Sequence, residues 1–480
     1  MSANFLHGVE TIELKRGPVP VRVVKSAVIG LVGSAPKGPV QALTVVNNAI
    51  EAAQFGQQID GFTIPQALDA IFKQGAGTVL VVNVADTSSN TFTQAVSAEE
   101  VEVENRAAKT EFAPFGTITI TNEAGSTTYV AGTDYTIDEL GNIAILAPSG
   151  TIAEGATLKV TYRKFDPTTI NASRLIGAID GNTGVKTGMK LFKNAYNMYG
   201  FKPKILITPG YSSLNSVATE MIAVANEHKA IALLDAPLGT TVAGAITGRG
   251  PLGSINFNTS SERAYLLYPN FKVYNPVKDA VENQPYSQFM AGVIASTDNT
   301  RGYWVSPSNK EIFGVQGPER VISFAVNDAQ TEANQLNEAG ITCYASSFGT
   351  GFRTWGNRTA AWPTNTNVKN FLVIRRIADI VHESIELAML QFIDEPLDPV
   401  NRVTIDAILD SVNAFIRTLI GRGALIQGSR CEFDPAKNPA NVLAAGQVVF
   451  DLVFMGPTPA ERITFESFVD QSLLTPPQTV

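Results

Sequence analysis

Three stretches of this sequence have the residue types and spacing from which chemistry could be built. "GRGPLG", at Gly248–Gly253, has the glycine spacing of a dinucleotide-binding turn, where backbone approaches a pyrophosphate at the start of a helix. Pro251 and the aperiodic "LGSINFNTSS" that follows leave no helix for such a turn to open. "GNTGVKTG" sets Lys186 as a phosphate loop would, but Val185 stands where that loop needs glycine, so a turn leading into a helix is the simpler reading. "SSFGTGFRTWGNRTAAWP", from Ser346, places Gly349, Gly351 and Gly356 among Arg353, Trp355, Arg358 and Trp362. Glycine there serves a phosphate cradle or a sharp turn inside a larger body equally well.

The remaining reactive groups stand apart. His7, His228 and His382 form no HExxH pattern and no Cys/His pair at metal spacing. Asp235 follows "AIALL" at the end of a strand, where an α/β enzyme often holds an acid, but has no evident nucleophile or base beside it. A capping or turn role before Pro237 is expected instead. Cys343 and Cys431 lie far apart in apolar or strand-like surroundings and read as small buried hydrophobes, with no disulfide framework. No catalytic, cofactor-binding or metal-ligating residue is nominated. The strand and helix alternation, with "GRGPLG", keeps one alternative open: a nucleotide-dependent α/β enzyme carrying a β binding module.

The elements that would position these residues define the class. The chain has 480 residues, 44% hydrophobic and 17% charged, enough for substantial cores and about three domains. A net charge of −8, from 36 basic and 44 acidic side chains, with no dense Lys/Arg run, argues against direct nucleic-acid binding. No stretch reaches the roughly 18 apolar residues of a bilayer span, and the N-terminus lacks a signal core, so no membrane insertion and a cytosolic origin are expected.

The pattern is α/β and α+β in several domains. "VRVVKSAVIGLVG", "TVLVVNV", "PKILITPG" and "AIALLDAP" read as buried strands, and "IPQALDAIFKQG", "KTGMKLFKNAYNMYG" and "SVATEMIAVANEHK" as helices. Thr, Ser, Gly and Val with period-two alternation mark an all-β module at 97–165, inserted into an α/β domain of 23–96 and 166–348. A third region, 349–460, holds a strand and helix in "FLVIRRIADIVHESIELAMLQFI", a helix from about Val403 to Ile420, and strands around "RCEF" and "GQVVFDLVFMG". That helix buries Ile405, Ile408, Leu409, Val412, Phe415, Ile416 and Leu419 and turns Arg402, Asp406, Asp410, Asn413 and Arg417 the other way. Extended segments at 1–22 and 461–480 carry Val9, Ile12 and Leu14, and Ile463, Phe465 and Phe468, with little local core to cover them.

Taken in order, "HGVETIELKRGPVPVRVVKSAVIGLVGSAP", "TIPQALDAIF", "NTRGYWVSPSN", "SFGTGFRTWGNRT" and "PAERITFESF" resemble the tail sheath proteins of contractile bacteriophages and phage-tail-like bacteriocins. The resemblance runs across nearly the whole chain. It implies an N-terminal arm, an α/β sheath domain, an outward-facing inserted module, a C-terminal core domain and a C-terminal arm. It further implies a helical homopolymer around a tail tube that meets baseplate and tail terminator proteins. Such a sheath belongs to the tail of a virion assembled in the host cytoplasm, and it contracts to drive the tube through the bacterial envelope. By the same resemblance the arms add strands to neighbouring copies, and the polar stripe 402–417 faces the tube. Gly349, Gly351 and Gly356 then let the chain turn while Trp355, Arg358 and Trp362 pack and hydrogen-bond.

Overall fold

The computed structural model describes residues 20–75, 77–146, 151–346, 349, 351–397 and 402–474. The expected N-terminal arm residues Val9, Ile12 and Leu14 lie outside them.

Eight strands form one sheet in the order Phe352–Trp355, Ile341–Ser346, Ala264–Leu267, Ile231–Asp235, Ile205–Ile207, Val28–Gly33, Thr78–Asn83, Leu43–Val46. The inner six run parallel, and the two outermost are antiparallel to their neighbours. Parallel strands are covered on both faces, which is why "VIGLVG", "IALLD" and "AYLL" are buried at every position. Helix Ile64–Lys73 starts with Pro65 in its first turn, where a missing N–H is harmless, and packs against helix Tyr286–Arg301. The latter has almost no exposed face, so its sequence shows little amphipathic period.

The β-rich module hangs from two adjacent chain ends. Thr93 pairs with Phe165 across strands Thr93–Glu102 and Thr157–Phe165, and Phe115–Asn122 completes a three-stranded sheet. A second small sheet holds Ala107–Lys109, Asn142–Ile145 and Tyr135–Ile137. Val101, Ile120, Tyr135, Ile143, Leu158, Val160 and Tyr162 give the module a core of its own. Its junction with the body is aromatic: Phe62 stacks on Phe165 at 3.9 Å between ring centres.

The third unit packs helices Leu372–Met389 and Val403–Gly421 with the antiparallel pair Arg430–Phe433 and Phe450–Val453 around Ile377, Val381, Val412, Phe415, Ile416 and Leu419.

The sequence reading needs three adjustments. The boundary at 349 falls inside a hairpin, because Phe352–Trp355 pairs with Ile341–Ser346 and carries the body's sheet to Trp355. Segment "FLVIRRIADIVHESIELAMLQFI" holds no strand: it is one α-helix from Leu372 to Met389 and a short 3₁₀ turn, since its apolar run continues at helical spacing. At the other end, Val21, Val23 and Val24 do not extend the strand that begins at Val28; they pack on the C-terminal core, and the Val24 N–H donates to Ser384 Oγ at 3.1 Å.

Candidate assembly site

The two glycine-rich loops that imitate ligand sites are joined to each other. From "GRGPLG", the Arg249 guanidinium donates to the carbonyls of Ala339 (2.9 Å), Phe257 (2.9 Å), Thr259, Ala360 (2.6 Å) and Trp362 (2.7 Å). Ala360 and Trp362 belong to the "FGTGFRTWGNRTAAWP" stretch. Burial pulls the Arg249 pKa down to about 10. A Cβ on Gly253 would sit 2.1 Å from the Gly248 carbonyl oxygen, so that glycine admits its own chain rather than a phosphate. Gly356 has φ +144°, and a Cβ there would lie 2.6 Å from Thr342 Oγ1. Gly349 and Gly351 also have positive φ, between strands Ile341–Ser346 and Phe352–Trp355. Trp355 meets Phe324 edge-on at 5.0 Å, and the Trp362 indole donates to the Glu338 carbonyl at 2.9 Å.

The other candidates are likewise held by structure. Asp235 accepts from Ser287 N–H (2.6 Å), Ser287 Oγ (2.6 Å) and Ser212 Oγ (2.9 Å), and its burial raises the carboxyl pKa to about 6 against those bonds. His228 is buried, neither ring nitrogen has a hydrogen-bond partner among the described residues, and burial lowers its pKa to about 4. His382 meets Phe454 edge-on. Lys186 donates to Asn194 Oδ1 at 2.9 Å, and a 3₁₀ turn, Gly188–Asn194, follows where a phosphate loop would need an α-helix. Cys343 and Cys431 are free and buried. No group of three or more His, Cys, Asp or Glu among the described residues could hold a metal ion. No described helix is long and apolar enough to cross a membrane.

What the sequence reading missed is a buried layer of charge between the sheet and helix Leu372–Met389. Arg376 holds Asp298 (Nη1–Oδ1 2.8 Å), Lys204 holds Glu383, Arg263 holds Asp379 (Nη2–Oδ1 2.8 Å), and Arg375 bridges Asp379 (2.8 Å) and Glu262 (2.7 Å). Four cations meet four carboxylates, with Glu262 at the rim at 37% exposure, so each buried charge has a partner to offset its desolvation. Burial still lowers the Lys204 pKa, with Glu383 opposing it. A signal existed: Arg375, Asp379 and Glu383 recur every four residues, one stripe of a helix whose other positions are largely apolar.

The surface left by this framework is asymmetric. On helix Val403–Gly421, Asp406, Asp410 and Arg417 are exposed, and Arg402 pairs with Asp406 at 3.2 Å over the Phe433 ring. Asn413 does not join that stripe. Its amide accepts from Cys431 N–H and donates to Cys431 C=O, both at 2.9 Å, fastening the helix to strand Arg430–Phe433. Beyond Val453 the chain runs without strand or helix to a short 3₁₀ turn at Gln471–Leu474. There Ile463 is 71% exposed, Phe465 90%, Phe468 87% and Val469 93%. Soluble proteins rarely leave so contiguous an apolar run uncovered.

These features describe a structural subunit, and the relatives agree. Residues 184–360 match the phage tail sheath protein central domain and residues 364–470 the phage tail sheath C-terminal domain. The chain is 46% identical over 475 residues to the tail sheath protein of Burkholderia phage BcepMu, covering 99% of this chain and 98% of that one. It therefore belongs to the phage tail sheath family, whose members are structural proteins and not enzymes. It is also 26% identical over 302 residues to the tail sheath protein of Escherichia phage P2, covering 63% of this chain and 72% of the other. Its fold matches the anti-feeding prophage helical sheath in the contracted state (TM-score 0.59, 16% identity, 97% of this chain and 99% of the other). A PVC sheath from an extracellular contractile injection system in the contracted state matches similarly (TM-score 0.58, 15% identity, 98% and 100%).

Proposed function

We propose that this chain is the repeating subunit of a contractile sheath. Copies polymerise helically around a tail tube, meet a baseplate at one end and terminator proteins at the other, and assemble in the host cytoplasm. When the baseplate triggers them, they shorten the sleeve and drive the tube through the bacterial envelope. Two different surfaces of one chain that complement each other head to tail, repeated without closure, generate such a helix. The terminal segments pair with neighbouring copies, the inserted module expected at 97–165 projects outward, and Asp406, Asp410 and Arg417 face the tube. The net charge of −8 argues against direct contact with nucleic acid.

The observation that carries this reading is the bare 461–469 run on a body whose cores are otherwise complete. Backbone groups and apolar side chains of such a segment are both satisfied when it adds to another copy's sheet. Among the described residues, Arg430–Phe433 and Phe450–Val453 form a two-stranded sheet, with outer edges to receive it. Electron microscopy of the expressed protein tests the reading: tubes are expected from the full chain, and folded monomers from chains lacking residues 1–17 or ending at Pro459. Normal tubes from both truncations overturn the interlaced-arm reading.

A further inference from the structure

The C-terminal segment is exposed over residues 462–469, but it leaves the body at a built point. Gly456 is buried and Pro457 and Pro459 are half-buried. Glu461 is then gripped by Arg358, Nε to Oε1 at 3.0 Å and Nη2 to Oε2, with both carboxylate oxygens engaged. Arg358 is itself immobilised. Its Nη1 donates to Asn370 Oδ1 at 2.5 Å, and its guanidinium lies 3.6 Å from the centre of the Phe371 ring and 4.5 Å from that of Trp362. Trp362 is pinned in turn through Glu338, and its carbonyl through Arg249. Before the exposed run 462–469, the body therefore holds its tail by one two-pronged carboxylate grip on a guanidinium fixed from three sides. An exposed ion pair held by two mobile side chains is worth little. Here one partner is already ordered, which removes much of the entropy that weakens such pairs, and the fork geometry fixes direction as well as position.

We propose that Arg358 is the anchor that sets where and in which direction the C-terminal segment departs, so that Ile463, Phe465 and Phe468 reach a second copy of this chain. The proposal rests on the reading that this segment joins copies. Arg358 is a positioning residue: it touches no second copy itself, and the apolar residues beyond Glu461 make the contact. Nothing among the described contacts of residues 462–469 holds them to their own body, so losing the grip frees the segment to sample directions that do not lead to a neighbour.

The test uses the full chain and four variants: Glu461→Gln, Arg358→Ala, the exchange Arg358→Glu with Glu461→Arg, and a chain ending at Pro459. Glu461→Gln leaves the packing of Arg358 intact, so it stays informative even where Arg358→Ala perturbs folding. Assembly is read as the protein concentration at which tubes first sediment. A nitroxide on Phe465→Cys, selective because Cys343 and Cys431 are buried, reports the tail's range of positions in monomers. The expected result is at least a tenfold rise in that concentration for Glu461→Gln, a broadened label distribution, an unchanged melting temperature, and partial recovery in the exchange. Wild-type assembly and label distribution in Glu461→Gln and Arg358→Ala, while the chain ending at Pro459 forms no tubes, overturns the anchor and leaves the joining role standing. Normal tubes from the chain ending at Pro459 overturn the joining role and the anchor with it.

Discussion

Arg376 and Asp298 are locked side to side, two guanidinium nitrogens on two carboxylate oxygens, with Nη1–Oδ1 at 2.8 Å and neither side chain more than 4% exposed. They join the C-terminal helix Leu372–Met389 to helix Tyr286–Arg301 of the α/β body. Removing one partner strands the other as an uncompensated buried charge, which costs about 3–5 kcal/mol, whereas replacing both with apolar residues of similar volume is often neutral or better. Asp298→Leu alone should therefore lower the urea midpoint sharply, and the double change Asp298→Leu with Arg376→Met should recover most of the loss. Equal midpoints for the single and double variants would separate the pair energetically.

Stability against acid should carry two opposing contributions. His228 has its pKa lowered by burial to about 4, so its contribution is complete above its ordinary value near 6.5 and is lost as pH falls from there toward 4, roughly 3 kcal/mol in all. Asp235 has its pKa raised by burial to about 6, so its contribution runs the other way, present at low pH and lost as pH rises through 6. Between pH 4 and 6 the two partly cancel. Asp235→Asn should make the fall in stability on acidification steeper than in the wild type, and His228→Leu should make it shallower. Unfolding by denaturant at pH 6.5, 5.5 and 4.5 reads both slopes.

The β-rich module should be separable. Its ends are neighbours through the Thr93–Phe165 pairing, and it has a core of its own, so joining Phe92 to Asp166 bridges a short gap. The shortened chain should fold with a modest loss of melting temperature from exposing Phe62, and still form tubes. Residues 92–166 alone should give a cooperative thermal transition by circular dichroism. A shortened chain that folds but never assembles would place the module inside the lattice.

Charge reversal along the Val403 helix distinguishes partner contact from folding. Asp410→Lys with Arg417→Glu should change stability by well under about 1 kcal/mol, because both side chains are exposed, yet weaken co-assembly with the cognate tube protein. Asn413→Ala should do the reverse: it should destabilise the subunit by about 1–3 kcal/mol by stranding the Cys431 backbone groups. Sedimentation with the tube protein and melting temperature give the two readings.

The alternating strands and helices of the body were legible because parallel strands buried on both faces are continuous apolar runs, as in "VIGLVG" and "IALLD". The inserted module was legible through its period-two pattern. The limits have physical causes. Asn413 reads as polar and outward by helical period alone, and its inward role depends on a strand arriving eighteen residues later. Val21–Val24 look like the start of a strand because β-branched residues suit a strand and a helix-facing strap alike. The stretch containing Gly349, Gly351 and Gly356 left cradle and turn open from its residues alone, the family resemblance favoured the turn, and nothing in it pointed to Arg249, about a hundred residues earlier, as the polar partner of its far end.

The balanced layer of charge beneath helix Leu372–Met389 also governs how the subunit bears a load. Apolar side chains slide past one another through many arrangements of similar energy, but a carboxylate in a fork has one good position. Shifting this helix along its axis by a single turn, about 5.4 Å, uncouples Lys204 from Glu383, Arg263 from Asp379 and Arg376 from Asp298 together. Displacing the helix along its axis therefore strains these pairs together, so the charged layer resists sliding more than an apolar contact would.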